Sequence, residues 1–158
     1  MKLISHRGNI NGRIESYENE PNYIDNTIKE GYDVEIDVRI IDNVLYLGHD
    51  IPLYGVDFRW FRDRISKLWI HCKTIETIDY ISKSGYNFNY FFHDKDDMTI
   101  TSKGYFWTYP NKPLTTNSIA ILPEVTNYNI EELKHVYGIC SDNISNYNEK
   151  NGWVFHNL

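Results

Sequence analysis

The stretch YDVEIDVRI (32–40) decides how this chain is read. In an extended strand successive side chains point to opposite faces, so Glu35 and Asp37 share one face and Val34, Ile36 and Val38 the other. Two ionised carboxylates at neighbouring same-face positions repel each other, and inside a core they are costly to hold unless a cation sits between them. Oxygen ligands of this kind suit Mg²⁺, Ca²⁺ or Mn²⁺. An edge strand with one solvated face shows the same alternation, and spacing alone leaves both readings open.

Outward from that strand, KLIS (2–5) is a short apolar run broken by His6-Arg7-Gly8, the pattern of a strand feeding a long polar loop. PNYIDNTIKEG (21–31) places apolar residues on one helical face, with proline at its start and glycine just past its end. Downstream, VLYLGHD (44–50) is the expected hairpin partner across Asp42-Asn43. Helical spacing returns in FRWFRDRIS (58–66), in TIETIDYISKSG (74–85) and around NIEELKHV (129–136). LWIHC, NYFFH, YFWT, IAILP and YGIC complete about seven parallel-type strands, and the alternation predicts an α/β architecture. A full eightfold (β/α) barrel takes about 250 residues. With 158 available, the expected fold is one domain over 1–158, a small or incomplete (β/α) TIM-type barrel with reduced outer helices.

A hydrophobic content of 41% provides for one core despite a mean hydropathy of −0.53. Net charge is −6, which argues against a broad nucleic-acid or anionic-membrane surface and requires a local cationic pocket for any small anionic substrate. No run approaches the ~20 apolar residues of a membrane span, and MKLISHRG is too short an apolar start for a signal sequence. Cys72 and Cys140 lie inside apolar runs and read as small buried hydrophobes in a reducing compartment, so a cytoplasmic location is expected.

His6 and His49 each follow a strand directly, and in parallel α/β folds that is the rim where chemistry gathers. One imidazole could deprotonate a nucleophile while the other protonates a leaving oxygen. Arg7 offers the planar fork that suits a phosphate, and Gly8 permits close backbone approach. Taken singly, each histidine is more commonly a turn residue bonded to backbone.

In combination, HRG (6–8), ENEP (18–21), VEIDV (34–38) and LGHD (47–50), in that order, resemble the N-terminal signature of the glycerophosphodiester phosphodiesterase family. The resemblance implies a TIM barrel, a divalent cation on Glu35 and Asp37, His6 and His49 as the acid–base pair, Arg7 as a phosphate contact and Glu18 as a supporting polar residue. LWIHCK (68–73) resembles the family's next strand, usually I-E-x-K. Here His71 stands at the acidic position and Lys73 is retained to face the substrate. As a third ligand, His71 would tilt the preference from Mg²⁺ or Ca²⁺ toward Mn²⁺ or Zn²⁺. Glu124 is a candidate to restore the carboxylate, set against a plain cap or surface role.

YGICSD (137–142) resembles the family's closing strand. Trp107 is a candidate contact for the substrate's alcohol portion, beside the commoner role of a core aromatic, and His93 and Tyr109 end strands near the same rim. His135 and His156 read as structural. The expected activity is metal-dependent hydrolysis of small glycerophosphodiester-like substrates. A metal-independent phospholipase C-like lyase and a non-catalytic binder of phosphorylated glycerol or sugar headgroups are the alternatives.

Overall fold

The computed structural model describes residues 1–148; His156 lies outside them. In chain order the elements are β1 (Lys2–His6), α1 (Pro21–Lys29), β2 (Asp33–Ile41), β3 (Val44–Leu47), β4 (Tyr54–Val56), α2 (Phe58–Asp63), β5 (Leu68–Cys72), α3 (Ile75–Lys83), β6 (Asn89–Phe91), β7 (Met98–Ile100), β8 (Phe106–Thr108), β9 (Ser118–Ile121), α4 (Ile130–Lys134) and β10 (Gly138–Ser141). Short 3₁₀ turns occur at Glu15–Tyr17, Pro123–Val125 and Ile144–Tyr147.

Each of the seven apolar runs forms a strand, and these pair in parallel in the spatial order β6-β5-β2-β1-β10-β9-β8. Three more strands are antiparallel additions: β3 on β2, β4 on β3, and β7 on β8. The β2–β3 turn uses Asp42 and Asn43, both at positive φ (48° and 63°), which matches the right-handed twist of a hairpin.

The expected TIM-type barrel is corrected by this topology. Among the described residues, ten strands form one mixed sheet curled into a half-barrel, with four α-helices in place of an outer helical ring. Among the described residues no backbone ladder joins β6 to β8. The physical reason is connection length: β8 reaches β9 through a loop alone, and β6 reaches β8 through β7, so no crossover helix covers those strands.

Period-two alternation sorts the side chains into layers. Val34, Ile36, Val38, Ile70 and Cys72 pack outward with Ile24 of α1, Phe61 of α2 and Ile81 of α3. Ala120 and Ile139 pack outward with Leu133 of α4 and Ile144. The opposite parity, Ile4, Trp69, Phe91, Trp107, Ile119, Ile121 and Cys140, fills the concave side. His6, Glu35, Asp37 and His71 share that inward parity; His6 ends β1, His71 is next to the end of β5, and Glu35 and Asp37 lie in the first half and middle of β2. Both cysteines are unpaired and buried, and no described helix is long and apolar enough to cross a membrane.

Candidate active site

Parallel pairing levels the key residues. His6 is in register with Glu35, and Asp37 with His71, so three adjacent strands bring one imidazole, two carboxylates and a second imidazole to two successive inward levels of the sheet. Glu35 and Asp37 are fully buried, at 2% and 0% exposure. His71 Nδ1 lies 3.1 Å from Asp37 Oδ1 and 3.7 Å from Glu35 Oε1, its ring stacked 4.9 Å over Phe91. These contacts are ionic in distance but outside hydrogen-bond geometry: Glu35 Oε2, Asp37 Oδ1 and His71 Nε2 have no hydrogen-bond partner.

Asp37 is the more heavily contacted of the two acids. Asn19, at a left-handed φ of 64°, donates from Nδ2 to Asp37 Oδ2 (3.0 Å) and accepts the Asp37 amide (2.9 Å). Arg7 Nε lies 2.9 Å from Oδ2 and Lys73 Nζ 3.5 Å from Oδ1. Burial alone would raise its pKa, yet His71, Arg7 and Lys73 hold the carboxyl well below the usual carboxylate range. His71 is pulled down by burial and pushed up further by Asp37 and Glu35, for a net upward shift.

The two rim histidines each have an aspartate on Nδ1. His6 Nδ1 is 2.8 Å from Asp142 Oδ1, and its Nε2 is 3.9 Å from Glu35 Oε2. Burial lowers the His6 pKa, but the Asp142 hydrogen bond and Glu35 outweigh it, so the group is raised. His49 Nδ1 is 2.7 Å from Asp50 Oδ1, but Asp50 is 88% exposed and water screens it. Burial therefore dominates and His49 is lowered.

These groups open into a cavity of about 560 Å³. His6, Arg7, Glu35, His49, His71 and Lys73 line it from β1, β2, β5 and the loop after β3, and Phe92, His93, Asp94, Trp107, Tyr109 and Pro110 from the segments after β6 and around β8. No family model, curated protein or solved structure matches this chain. The likeness to glycerophosphodiester phosphodiesterases accordingly rests on the short motifs alone.

Among the described residues, two side-chain groups have the composition of a metal site: Glu35-Asp37-His71 and His6-Glu18-Asp142, each with candidate ligand atoms within 4.8 Å of one another. Hydrogen bonding separates them. Glu18 is saturated, its Oε1 accepting from Asn9 and Arg13 and its Oε2 from Arg7. By contrast, the first group has two buried carboxylate oxygens that have cationic neighbours but accept no hydrogen bond, which leaves lone pairs for a cation. The residues present therefore fit a divalent cation at Glu35, Asp37 and His71.

Among the other expected site residues, Arg7 is committed to Glu18 and Asp37 and still lines the cavity. Trp107 is 2% exposed, tilted 4.5 Å from Phe91, and among the residues that line the cavity. His93 stacks 3.5 Å from Tyr109. Glu124 caps the loop after β10, accepting from Ser141 Oγ and the Asp142 amide. Glu18 and Asn19 precede α1 and do not open it; Glu20 is its N-cap.

Asp142 and Asn9 were not singled out from sequence, although Asn9 also donates to Asp142 (2.8 Å). Asp142 could have been found: it follows Cys140 by two residues at the end of an inward-facing strand. Asn19 stood in the quoted ENEP motif without a role, because a side chain that grips a neighbouring strand's backbone leaves no spacing signal.

Proposed function

We propose that the protein is a metal-dependent phosphodiester hydrolase acting on small glycerophosphodiester-like substrates. The reading is carried by one observation: Glu35 and His71 line a cavity whose walls include two aspartate-oriented imidazoles, and behind them Glu35 Oε2 and the buried Asp37 Oδ1 have no hydrogen-bond partner. A cavity of about 560 Å³ is in the size range of small-molecule sites. A divalent cation, Mg²⁺ or Ca²⁺ by the carboxylates and Mn²⁺ or Zn²⁺ by the imidazole, would neutralise phosphoryl oxygens when bound.

The chain's own groups supply the rest. Arg7 and Lys73 offer positive charge to the phosphate as it enters, each partly shared with Asp37. Asp50 on Nδ1 leaves His49 Nε2 to take a proton from the attacking hydroxyl, either water or a substrate hydroxyl next to the phosphate. As the new P–O bond forms and the ester P–O bond breaks, His6 Nε2 returns a proton to the departing alkoxide. Asp142 favours that assignment, because a partly buried carboxylate keeps the His6 ring protonated better than the solvated Asp50 keeps His49. The free, buried cysteines suit a reducing compartment, and we place the protein in the cytoplasm.

A second reading has its own support. Asp37 already meets Arg7, Lys73 and His71, a charge balance that closes without a metal ion and suits a phospholipase C-like lyase. A screen of glycerophosphodiesters with Mg²⁺, Ca²⁺, Mn²⁺ and Zn²⁺, beside Glu35→Ala and His49→Ala, decides. Metal-stimulated turnover that falls roughly a hundredfold or more in both variants supports the hydrolase. Full activity in excess chelator moves the assignment to the lyase, and turnover unchanged in both variants removes the site.

A further inference from the structure

We infer that Arg39 is the positioning residue for His49, fixing the loop that carries the imidazole onto the strand that carries Glu35 and Asp37. The role of His49 in that statement rests on the proposed function; the geometry of the clamp does not.

Arg39 is the next inward position of β2 after Glu35 and Asp37, four and two residues on. Its guanidinium donates to three consecutive backbone carbonyls: to Gly48 from one terminal nitrogen, and to His49 (2.5 Å) and Asp50 (3.2 Å) from the other. No carboxylate lies within ion-pair distance of it among the described residues, so this permanently charged, half-buried group is held by peptide dipoles. A guanidinium is suited to this, having a rigid fork of donors where an ammonium has one compact head.

The loop has few other anchors and little freedom. The Gly48 amide donates to the Asp37 carbonyl (3.1 Å), and the Leu53 amide to the Leu47 carbonyl (2.9 Å). Gly48 adopts φ +145°, and a Cβ there would stand 2.1 Å from the Ile51 carbonyl oxygen, so only glycine makes the turn. The partner that orients the imidazole, Asp50, is on the same loop and is itself exposed. Nothing in the His49–Asp50 pair therefore fixes its position relative to Glu35 and Asp37. Arg39 does: it spans the carbonyls on both sides of the imidazole and ties them to the carboxylate strand.

The test compares wild type, Arg39→Met, Arg39→Lys, His49→Ala and the Arg39→Met/His49→Ala double variant. Turnover of bis(4-nitrophenyl) phosphate with Mn²⁺ is read beside the His49 ring signals in a proton–carbon NMR spectrum. Nitrophenolate leaves without needing a proton, so the rate isolates the proton-accepting side assigned to His49. Arg39→Met is expected to lower kcat roughly tenfold to a hundredfold with KM within about twofold, and to add no further loss to His49→Ala. Arg39→Lys, which keeps the charge and loses the fork, is expected to fall between the two. The His49 ring signal should move in Arg39→Met while that of His135 stays in place. Losses that multiply in the double variant, or an unmoved His49 signal in a folded Arg39→Met, would overturn the inference. A wild type without turnover defeats the hydrolase reading, and the NMR arm alone then decides whether Arg39 positions His49.

Discussion

Glu35 and Asp37 are one turn of the pleat apart, and their surroundings are opposite. Each has one oxygen without a hydrogen-bond partner, but Asp37 is gripped by Asn19 and lies within about 3.5 Å of Arg7, Lys73 and His71, whereas Glu35 meets only His6 and His71, at 3.9 and 3.7 Å. Removing the Asp37 charge takes from the buried Arg7 one of its two carboxylates and from Lys73 its ion-pair partner, and losing one member of a buried pair costs roughly 3–5 kcal/mol. Asp37→Asn is therefore expected to destabilise by about that much in urea unfolding with chelator present. Glu35→Gln should stay within about 1 kcal/mol of wild type and still lose divalent-ion binding, read by calorimetry. Equal destabilisation by the two changes would contradict this division of labour. The His6–Asp142 pair makes a pH-dependent counterpart. His6 is raised above 6.5, so its contribution is full below that pH and fades as pH climbs through the raised value; Asp142 is lowered below 3.8, so its contribution is present above that pH and fades as pH falls through the lowered value. The stability gap between wild type and Asp142→Asn should thus peak between pH 3.8 and 6.5 and narrow on either side, and a gap flat from pH 3 to 9 would remove the coupling. At this scale the sequence was readable where chemistry follows strand parity, as for Glu35, Asp37 and His71. It was silent where a loop side chain such as Asn19 or Arg13 reaches across, since such contacts have no period.

Elements were legible in proportion to how much local physics specifies them. Thr74 accepts from the Thr77 amide at the start of α3, and Asp42-Asn43 take the positive φ values that a tight hairpin demands. β4 and β7 were not foreseen. Each has three residues that are half-buried or exposed, with no apolar run, and exists because a neighbouring strand offers an edge. The joint between β1 and α1 shows how one backbone position fixes an element. Gly8 was expected to admit a ligand, yet what approaches it is the Tyr23 ring of α1: at φ +97°, a Cβ would lie 2.6 Å from Tyr23 Cδ1. Thr27 of the same helix donates to the Gly8 carbonyl at 2.7 Å. Gly8→Ala should push α1 off the sheet and cost roughly 1–3 kcal/mol by overpacking and backbone strain, with Tyr23 fluorescence or chemical shift moving in step. A variant as stable as wild type, with Tyr23 unmoved, would show that the helix docks by other means.

Closure was the least legible feature, because it depends on how the first and last strands of a series meet and no single segment encodes that meeting. Seven parallel strands could be counted from apolar runs, but the half-barrel's seam between β6 and β8 has no backbone ladder. Ring packing and the Ser102 contact bridge it instead. Phe91 and Trp107 lie tilted at 4.5 Å, Trp107 also lies 5.9 Å from Trp69, and Ser102 donates its amide to the Tyr90 carbonyl and accepts the Tyr90 amide on its hydroxyl. A seam joined by packing can open without breaking a sheet, so it should be the low-energy route of local unfolding. Trp107→Ala removes most of its apolar area, a change that costs about 3–5 kcal/mol in a buried aromatic. The loss should be local before it is global: amide exchange in β6, β7 and β8 should accelerate well ahead of β1, β2 and β10, which hold the paired centre of the sheet. If β1 and β2 exchange rises together with β8 in Trp107→Ala, the seam is not a separate unit and the half-barrel unfolds as one.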